Sequence, residues 1–567
     1  MASCSASSSS LESVGHSSEP LTITAITGIN QIGNGQDGTV TVAALPATCT
    51  TAPGSQTNVW VWEDRTLGRP RGLRWASNCG TDSTQTVAVA LDALSLGTPI
   101  GWPASIPMTY FSEPHLLRLG MDNSNPNLVG LVSLVGPTTF GFPTNLAISI
   151  GTANGTGNVT WDNAHSYLIG DATSAGTNSG GPVKWSAVSE MHAGTGQTPT
   201  DFQFVPATST RDVIVTWTYD NGSGAGIQSY TRLVSFDAPT HVLRTQPVHQ
   251  VPPFPAPPFS ANIISHPSIM LGLADNLTQN SHPYVWLAWP EVAAAQTYDA
   301  TDCQVAAQRT RANNTVAMSW HSLISGDFGV TWSPYNAIID TPVFPDWEIC
   351  VGGNEGLPNL GAPTNFWRNQ IEAVLAYDPI AWRLVFAFNA PRPGDQWKGS
   401  GIDTFWYPVC FFGCIPAQPP TFTGQTPPNS TDPNRAQDQI MPTLAIDKGS
   451  VAQIAWTDTV DSPASVACAP QSSCNKFFSI RGANYVYSPS PMAPANTVPA
   501  GQLISFQQYG FGNQNNNDLG KYNGSAITNG TAHTFALGFS TVTAGAVCSP
   551  SCPPSLPGDV WLYQTAP

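Results

Sequence analysis

Charge is scarce in this chain, and positive charge is scarcest. Only 10% of the 567 residues are Asp, Glu, Lys or Arg, with 20 basic against 36 acidic side chains and a net charge of −16. Such a surface repels phosphate backbones and anionic headgroups, which excludes nucleic acid as a partner. Long apolar runs are missing too: none reaches the roughly 18 to 20 residues that a membrane-spanning helix needs, so a transmembrane segment is excluded. The amino terminus has no charged-then-apolar signal pattern. There is no EF-hand spacing, no phosphate-cradling loop and no zinc-spaced Cys/His set, so no cofactor is expected. Acids spread round a rim leave calcium as the one ion still to weigh.

Turn formers and aromatics are what the chain has in quantity: 50 Gly, 51 Pro and 18 Trp. That composition suits many short strands joined by turns, an all-β chain rather than a helical one. One unit recurs, an apolar strand, a short turn and a second apolar strand that often ends in Trp and an acid. The second strands read at 59–64, 129–134, 213–217, 284–289, 384–388, 451–458 and 533–537. These seven lie roughly 70 to 100 residues apart, room for four strands with long loops and too far apart for solenoid repeats. First strands precede most of them, at 116–120, 269–273, 371–377, 441–447 and 522–527. The last strand, 558–563, is only the third of its unit, and residues 21–26 are placed to supply the fourth, which would remove an exposed sheet edge. The expected architecture is therefore a β-propeller of four-stranded blades, seven in number with six as the alternative, its ring closed by the amino-terminal strand. Residues 1–20 form a Ser-rich tether and 21–567 one propeller domain. The Pro-rich stretches 249–258 and 416–420 read as stiff connectors.

Ten of the eleven cysteines fall into near neighbours: Cys49 with Cys79, Cys303 with Cys350, Cys410 with Cys414, Cys468 with Cys474, and Cys548 with Cys552. Local pairs flanking loops suit disulfides in an oxidised, exported protein, with metal binding the alternative for the closest pairs. Cys4 is left over. It follows Met1-Ala2-Ser3 and precedes a run of serines, which resembles the end of a bacterial lipoprotein signal and implies lipidation at Cys4. The competing reading is a free thiol in a tail. Sequons at Asn154, Asn158, Asn221 and Asn523 arise by chance in a chain this rich in Asn, Ser and Thr, and the segment 151–157 reads as a turn-rich connector.

Residues 325–332, Ser325-Gly326-Asp327-Phe328-Gly329-Val330-Thr331-Trp332, read S-x-D-x-G-x-T-W after an alternating strand. The physical logic is a tight turn: Asp327 accepts backbone N–H bonds, Gly329 supplies a positive φ, and Thr331 and Trp332 lock the turn onto the strand behind it. The pattern resembles the Asp-box, or bacterial neuraminidase repeat, of the sialidase superfamily. Members carry this turn between the third and fourth strands of a blade, and Ser325, Asp327, Gly329, Thr331 and Trp332 are thereby implied as its structural residues.

In a propeller of this strand order, loops entering first strands and leaving second strands share one face, opposite the Asp-box turn. That face is expected to carry Glu63, Asp64, Arg65, Glu113, His115, Arg118, Asp220, His266, Glu291, Arg368, Glu372, Asp438, Asp458, Asp518 and Tyr522. Sialoside hydrolysis in the family uses an arginine cluster, a Tyr nucleophile with a Glu partner and an Asp acid/base. Its early F/Y-R-I-P segment is absent here, 114–118 does not replace it, and Tyr522 reads as the start of an inner strand. Trp62-Glu63-Asp64-Arg65, echoed by Trp456-Thr457-Asp458, reads as a repeated strand terminus whose acids satisfy loop amides, or as an acid and base pair. The expectation is an exported, surface-tethered propeller that binds or scaffolds a glycan or extracellular protein. The alternative is a glycoside hydrolase using rim carboxylates, with Asp64, Arg65, Glu113 and Glu372 as catalytic candidates.

Overall fold

The computed structural model describes residues 25–29, 37–49, 56–64, 72–79, 89–91, 93–119, 127–137, 145–170, 183–191, 199–200, 203–204, 210–220, 227–237, 242–245, 247–251, 263–264, 268–273, 283–292, 318–327, 329–334, 349–350, 354–355, 373–378, 383–391, 400–408, 439–446, 450–458, 477–486, 502–504, 508–509, 524–529, 534–542 and 558–566. Among them the chain is all-β apart from one helical turn, Ala93–Leu96. Seven antiparallel sheets of three or more strands follow one another along the chain.

Sheet 1 is Asp37–Thr48, Gln56–Asp64, Gly72–Cys79 and Val89–Leu91. Sheet 2 is Met108–Arg118, Leu128–Pro137, Asn145–Ala153 and Val159–Leu168. Sheet 3 runs Val183–Met191, Thr210–Asp220 and Ile227–Asp237, with Val242–Thr245 and His249–Val251 both on the third strand. Sheet 4 has Ile263–Ile264 and Ser268–Leu273 on Pro283–Val292, then Met318–Ser325 and Ser333–Pro334. Sheet 5 is Ala373–Asp378, Arg383–Pro391 and Ser400–Pro408. Sheet 6 is Gln439–Ile446, Val451–Asp458 and Phe477–Val486, with Gln502–Leu503 and Gln508–Tyr509 beyond. Sheet 7 is Gly524–Asn529, Thr534–Val542 and Gly558–Ala566, and its fourth strand is Ala25–Ile29 from the other end of the chain, in register Thr27 to Gln564.

The second strands form because they are apolar on both faces, and each face meets a different neighbour. In Leu128–Pro137, Val129, Leu131 and Val135 pack toward sheet 1, while Leu128, Val132 and Leu134 pack toward sheet 3. Val213, Val215 and Trp217 of sheet 3 meet that second set, and Ile214 turns to sheet 4. In sheet 1, Val59 and Val61 face sheet 2, whereas Trp60 and Trp62 sit in a cluster that Ala526 of sheet 7 joins. Among the described residues, the five largest fully buried side chains, Trp60, Trp62, Trp217, Trp286 and Phe386, all lie on second strands. Each hides on the order of 150 to 250 Å² of mostly apolar surface, roughly 4 to 6 kcal/mol of transfer free energy. In sheet 2 burial falls outward, from the wholly buried second strand to the half-exposed Val159–Leu168.

First strands of successive sheets are spatial neighbours. Asp37–Thr48 packs against Met108–Arg118, that strand against Val183–Met191, and so on through Ser268–Leu273, Ala373–Asp378, Gln439–Ile446 and Gly524–Asn529, which returns to Asp37–Thr48. The Trp60 Nε1–H donates to the carbonyl of Leu537 in sheet 7 at 3.2 Å, a bond spanning 477 residues of sequence. Sheets 1 and 7 are therefore joined by a side-chain-to-backbone bond and by apolar contacts.

Candidate functional site

First strands are irregular at the end where they begin. Each of three carries one extra residue relative to its partner: Thr39 between Gly38 and Val40, Glu113-Pro114 between Ser112 and His115, and Met441-Pro442 between Ile440 and Thr443. Thr39, Glu113 and Met441 adopt left-handed φ of 47°, 46° and 54°. A side chain with a Cβ pays of the order of 1 to 3 kcal/mol for such a conformation, and it persists only where surrounding structure holds it. Bulges of this kind re-aim side chains at the rims of sheets.

At this end sheets 1 and 2 are stitched together. Oε1 of Glu63 accepts the Glu113 N–H at 2.7 Å, and the Thr41 hydroxyl accepts the Leu116 N–H at 3.1 Å. Glu63 and Glu113 are 1% and 0% exposed, so the Glu63 carboxylate and the Glu113 amide that it binds meet out of water. Burying a carboxylate is costly unless donors meet it, and the bulged amide is one such donor. In sheet 6, Oδ2 of the buried Asp458 accepts the Trp456 indole N–H at 2.8 Å. That carboxylate is engaged within its own strand.

The opposite end carries turns that clamp one sheet to the one before it. Between the third and fourth strands of sheet 4, Asp327 Oδ1 accepts from the Thr331 amide at 2.8 Å and the Ser325 hydroxyl at 2.8 Å, and Oδ2 accepts from the Thr331 hydroxyl at 2.5 Å. Ser325 Oγ accepts the Gly329 N–H at 2.7 Å. Gly329 has φ +83°, and a Cβ there would lie 3.0 Å from Thr231 of sheet 3, so both conformation and space call for glycine. Trp332 packs with Ile214 and Val251 of sheet 3 and Val285, Leu287 and Leu323 of sheet 4. Burial would raise the Asp327 pKa, but the hydrogen bonds from Thr331, Ser325 and its own amide outweigh it and hold the carboxyl below its ordinary value.

Sheet 2 contains a second turn of this design. Asn154 Oδ1 accepts from the Thr156 amide at 3.0 Å, the Thr156 hydroxyl at 2.7 Å and the Asn158 amide at 3.0 Å. The bond from the amide four residues on matches that from Thr331 to Asp327. Gly157, at φ +87°, presses on Asn78 and Cys79 of sheet 1, and its carbonyl accepts from the Ser77 hydroxyl. Beside it, Cys49 and Cys79 form a disulfide that ties the ends of the first and third strands of sheet 1. The buried Asp378 ends the first strand of sheet 5 and accepts from the Ser450 hydroxyl of sheet 6 at 2.9 Å.

Of the catalytic candidates, the structure brings Glu113 to the stitched end of sheets 1 and 2. Asp64 ends the second strand of sheet 1, opposite Asp37 and Gly72, next to Glu63. Arg65 and Glu372 lie outside the described residues, as do Cys4, Cys303, Cys410, Cys414, Cys468, Cys474, Cys548 and Cys552; Cys350 lies in the short pair Ile349–Cys350 with Asn354–Glu355. Sequence reasoning placed Glu63 on this face and missed its bond to the Glu113 amide, which no local pattern announces. It also missed the Asn154 turn, for which the signal was an Asx residue before Gly between two strands. Among the described residues no group of three or more His, Cys, Asp or Glu is placed to hold a metal ion, and no helix is long and apolar enough to cross a membrane.

No family model and no curated protein sequence matches the chain. Its structure is similar to that of phage phi92 endosialidase, at 8% identity and a TM-score of 0.40, over 96% of this chain and 69% of that one. It is also similar to Penicillium chrysogenum alpha-L-arabinanase complexed with arabinobiose, at 7% identity and a TM-score of 0.39, over 96% and 98% of the two chains. A third is the GH93 alpha-L-arabinofuranosidase of Fusarium graminearum with arabinobiose, at 9% identity and a TM-score of 0.37, over 76% and 92%.

Proposed function

We propose that the chain is a closed seven-bladed β-propeller of the Asp-box, sialidase-like kind that acts on glycosides at the end of the ring where first strands begin. Blade number and closure are supported by the run of seven sheets, the circular adjacency of their first strands and the pairing of Ala25–Ile29 with Gly558–Ala566. The Asp327 turn and its lodging on the preceding sheet support the Asp-box reading.

The observation that carries the functional reading is Glu113. It is a buried non-glycine residue in a left-handed conformation, on a bulge whose amide is bound by a carboxylate from the neighbouring sheet. Strain of this sort is kept at sites that need a side chain aimed. Glycoside cleavage asks for paired carboxylates, one giving a proton to the leaving oxygen and the other acting as nucleophile or base. Glu113 and Glu63 are the pair assigned here. A panel of fluorogenic sialosides and α-L-arabinofuranosides tests it: turnover by the wild type, lost in Glu113→Gln with folding intact, is the expected result. Turnover unaffected by Glu113→Gln would remove the assignment.

A second reading, capture of a glycan or extracellular protein without cleavage, is favoured by the burial of both carboxylates and by the bond that already occupies Glu63. Saturable binding on a glycan array with no turnover would select it. Export to an extracellular or cell-surface position, with Cys4 as a lipid anchor, belongs to either reading; the Cys49–Cys79 disulfide supports an oxidising compartment. The mass of the amino-terminal peptide from native cells tests the anchor.

A further inference from the structure

The geometry points to Asn154 as a site of spontaneous deamidation, a self-modification that converts the turn of sheet 2 into the carboxylate turn seen in sheet 4. Three observations meet at this residue. Asn154 is exposed and is followed by Gly155, which offers no side chain to hinder attack by its own backbone nitrogen. Two backbone N–H groups, from Thr156 and Asn158, point at one side-chain atom of Asn154; because N–H groups only donate, that atom is the oxygen, and the amine is the group left to depart. The Thr156 hydroxyl makes a third contact with the same oxygen at 2.7 Å.

Three donors on a carbonyl oxygen are the arrangement that stabilises a tetrahedral intermediate. The Gly155 nitrogen attacks Cγ of Asn154, and negative charge develops on Oδ1 inside this set of donors. The bond from Cγ to the side-chain nitrogen then breaks and ammonia leaves, its third hydrogen being the proton lost from the Gly155 nitrogen. A five-membered succinimide remains. Water adds to one of its carbonyls and opens the ring, giving Asp or its isomer with the chain running through the side chain. No oxidant or other reactant is needed.

The two products differ in consequence. Asp at 154 keeps an oxygen for the amides of Thr156 and Asn158 and gains a second, as Asp327 has for the hydroxyl of Thr331. The isomer lengthens the main chain by one methylene and lifts Gly157 from Asn78, Cys79 and the Ser77 hydroxyl. Sheets 1 and 2 would lose that clamp in the fraction of molecules carrying it.

The test incubates the native protein, and separately the chain unfolded in urea, in heavy-oxygen water at neutral pH and maps the peptide containing Asn154. Oxygen label entering this peptide in the native protein faster than in the unfolded chain is the expected result. Thr156→Val, which keeps the amide donor and removes the hydroxyl, should slow native labelling by about 2- to 10-fold, the worth of one hydrogen bond, and leave the unfolded rate unchanged. Slower labelling in the native protein than in the unfolded chain overturns the proposal, as does a Thr156→Val rate equal to the wild type. The native-to-unfolded comparison needs no variant and so stands even if Thr156→Val does not fold.

Discussion

Replacing Asp327 by Ala should loosen the clamp between sheets 3 and 4 while leaving every strand able to form. The carboxylate accepts three bonds, from the Thr331 amide, the Thr331 hydroxyl and the Ser325 hydroxyl. A net hydrogen bond contributes about 0.5 to 1.5 kcal/mol, and the two from Thr331 are open to water, so the lower half of the range applies: about 1.5 to 3 kcal/mol in all. Asp327→Asn keeps one oxygen for the Thr331 amide, as Asn154 does in sheet 2, and should lose about half of that. Amide hydrogen exchange at Gly329 and Thr331 reads the local opening directly, and urea unfolding reads how much of it reaches the whole chain. Acidity supplies an independent check. Folding lowers the Asp327 pKa, so its stabilisation is complete above the unfolded carboxyl value, about 4, and is lost as pH falls through the lower folded value. In Asp327→Asn that acid-side loss should disappear. Asp327→Ala with exchange rates at Gly329 and Thr331 equal to the wild type would refute the reasoning.

Three further outcomes follow from the packing. Breaking the disulfide by Cys49→Ser with Cys79→Ser frees a loop of sequence separation 30, and should cost about 3 to 4 kcal/mol in denaturant unfolding under oxidising conditions, with no added effect of reductant at this bond. Trp60→Phe removes the bond to the Leu537 carbonyl and should cost about 0.5 to 1.5 kcal/mol, whereas Trp60→Ala, which also empties the space between sheets 1 and 7, should cost about 3 to 5 kcal/mol by the same measurement. Glu63→Ala leaves the buried Glu113 amide without this acceptor and should destabilise by about 1 to 3 kcal/mol, while Glu63→Gln retains an oxygen for it and should cost less; equal losses would show that charge, not the bond, is what Glu63 supplies.

The second strands were legible because both of their faces are buried, which writes them as dense apolar runs; 451–458 read from the sequence coincides with Val451–Asp458, and 284–289 falls inside Pro283–Val292. The fourth strand of sheet 7 was expected at 21–26 and is Ala25–Ile29, the same pairing displaced along the chain. First strands were harder. Asp37–Thr48 carries Gly38, Pro46 and two irregularities of register, and it was not among the first strands expected from the sequence. Met108–Arg118 was legible only beyond its bulge, because Glu113-Pro114 interrupts the pattern that resumes at His115. The Asp327 turn was legible since every one of its bonds lies within six residues. Its counterpart at Asn154 was not, with Asn in place of Asp and the glycine of positive φ one place further on. Contacts between sheets, such as Glu63 to Glu113 or Ser450 to Asp378, join residues 50 and 72 apart, and no local pattern encodes them.

Everything assigned to the stitched face depends on the chain's two ends meeting in one sheet. Thr27 and Gln564 are register partners there, so Thr27→Cys with Gln564→Cys should form a disulfide within a single chain on mild oxidation, detected as a cross-linked peptide from monomeric protein. Capture of that link at low protein concentration is the predicted result. Its absence, or its appearance only between separate chains, would contradict the proposed ring closure and the site built on it.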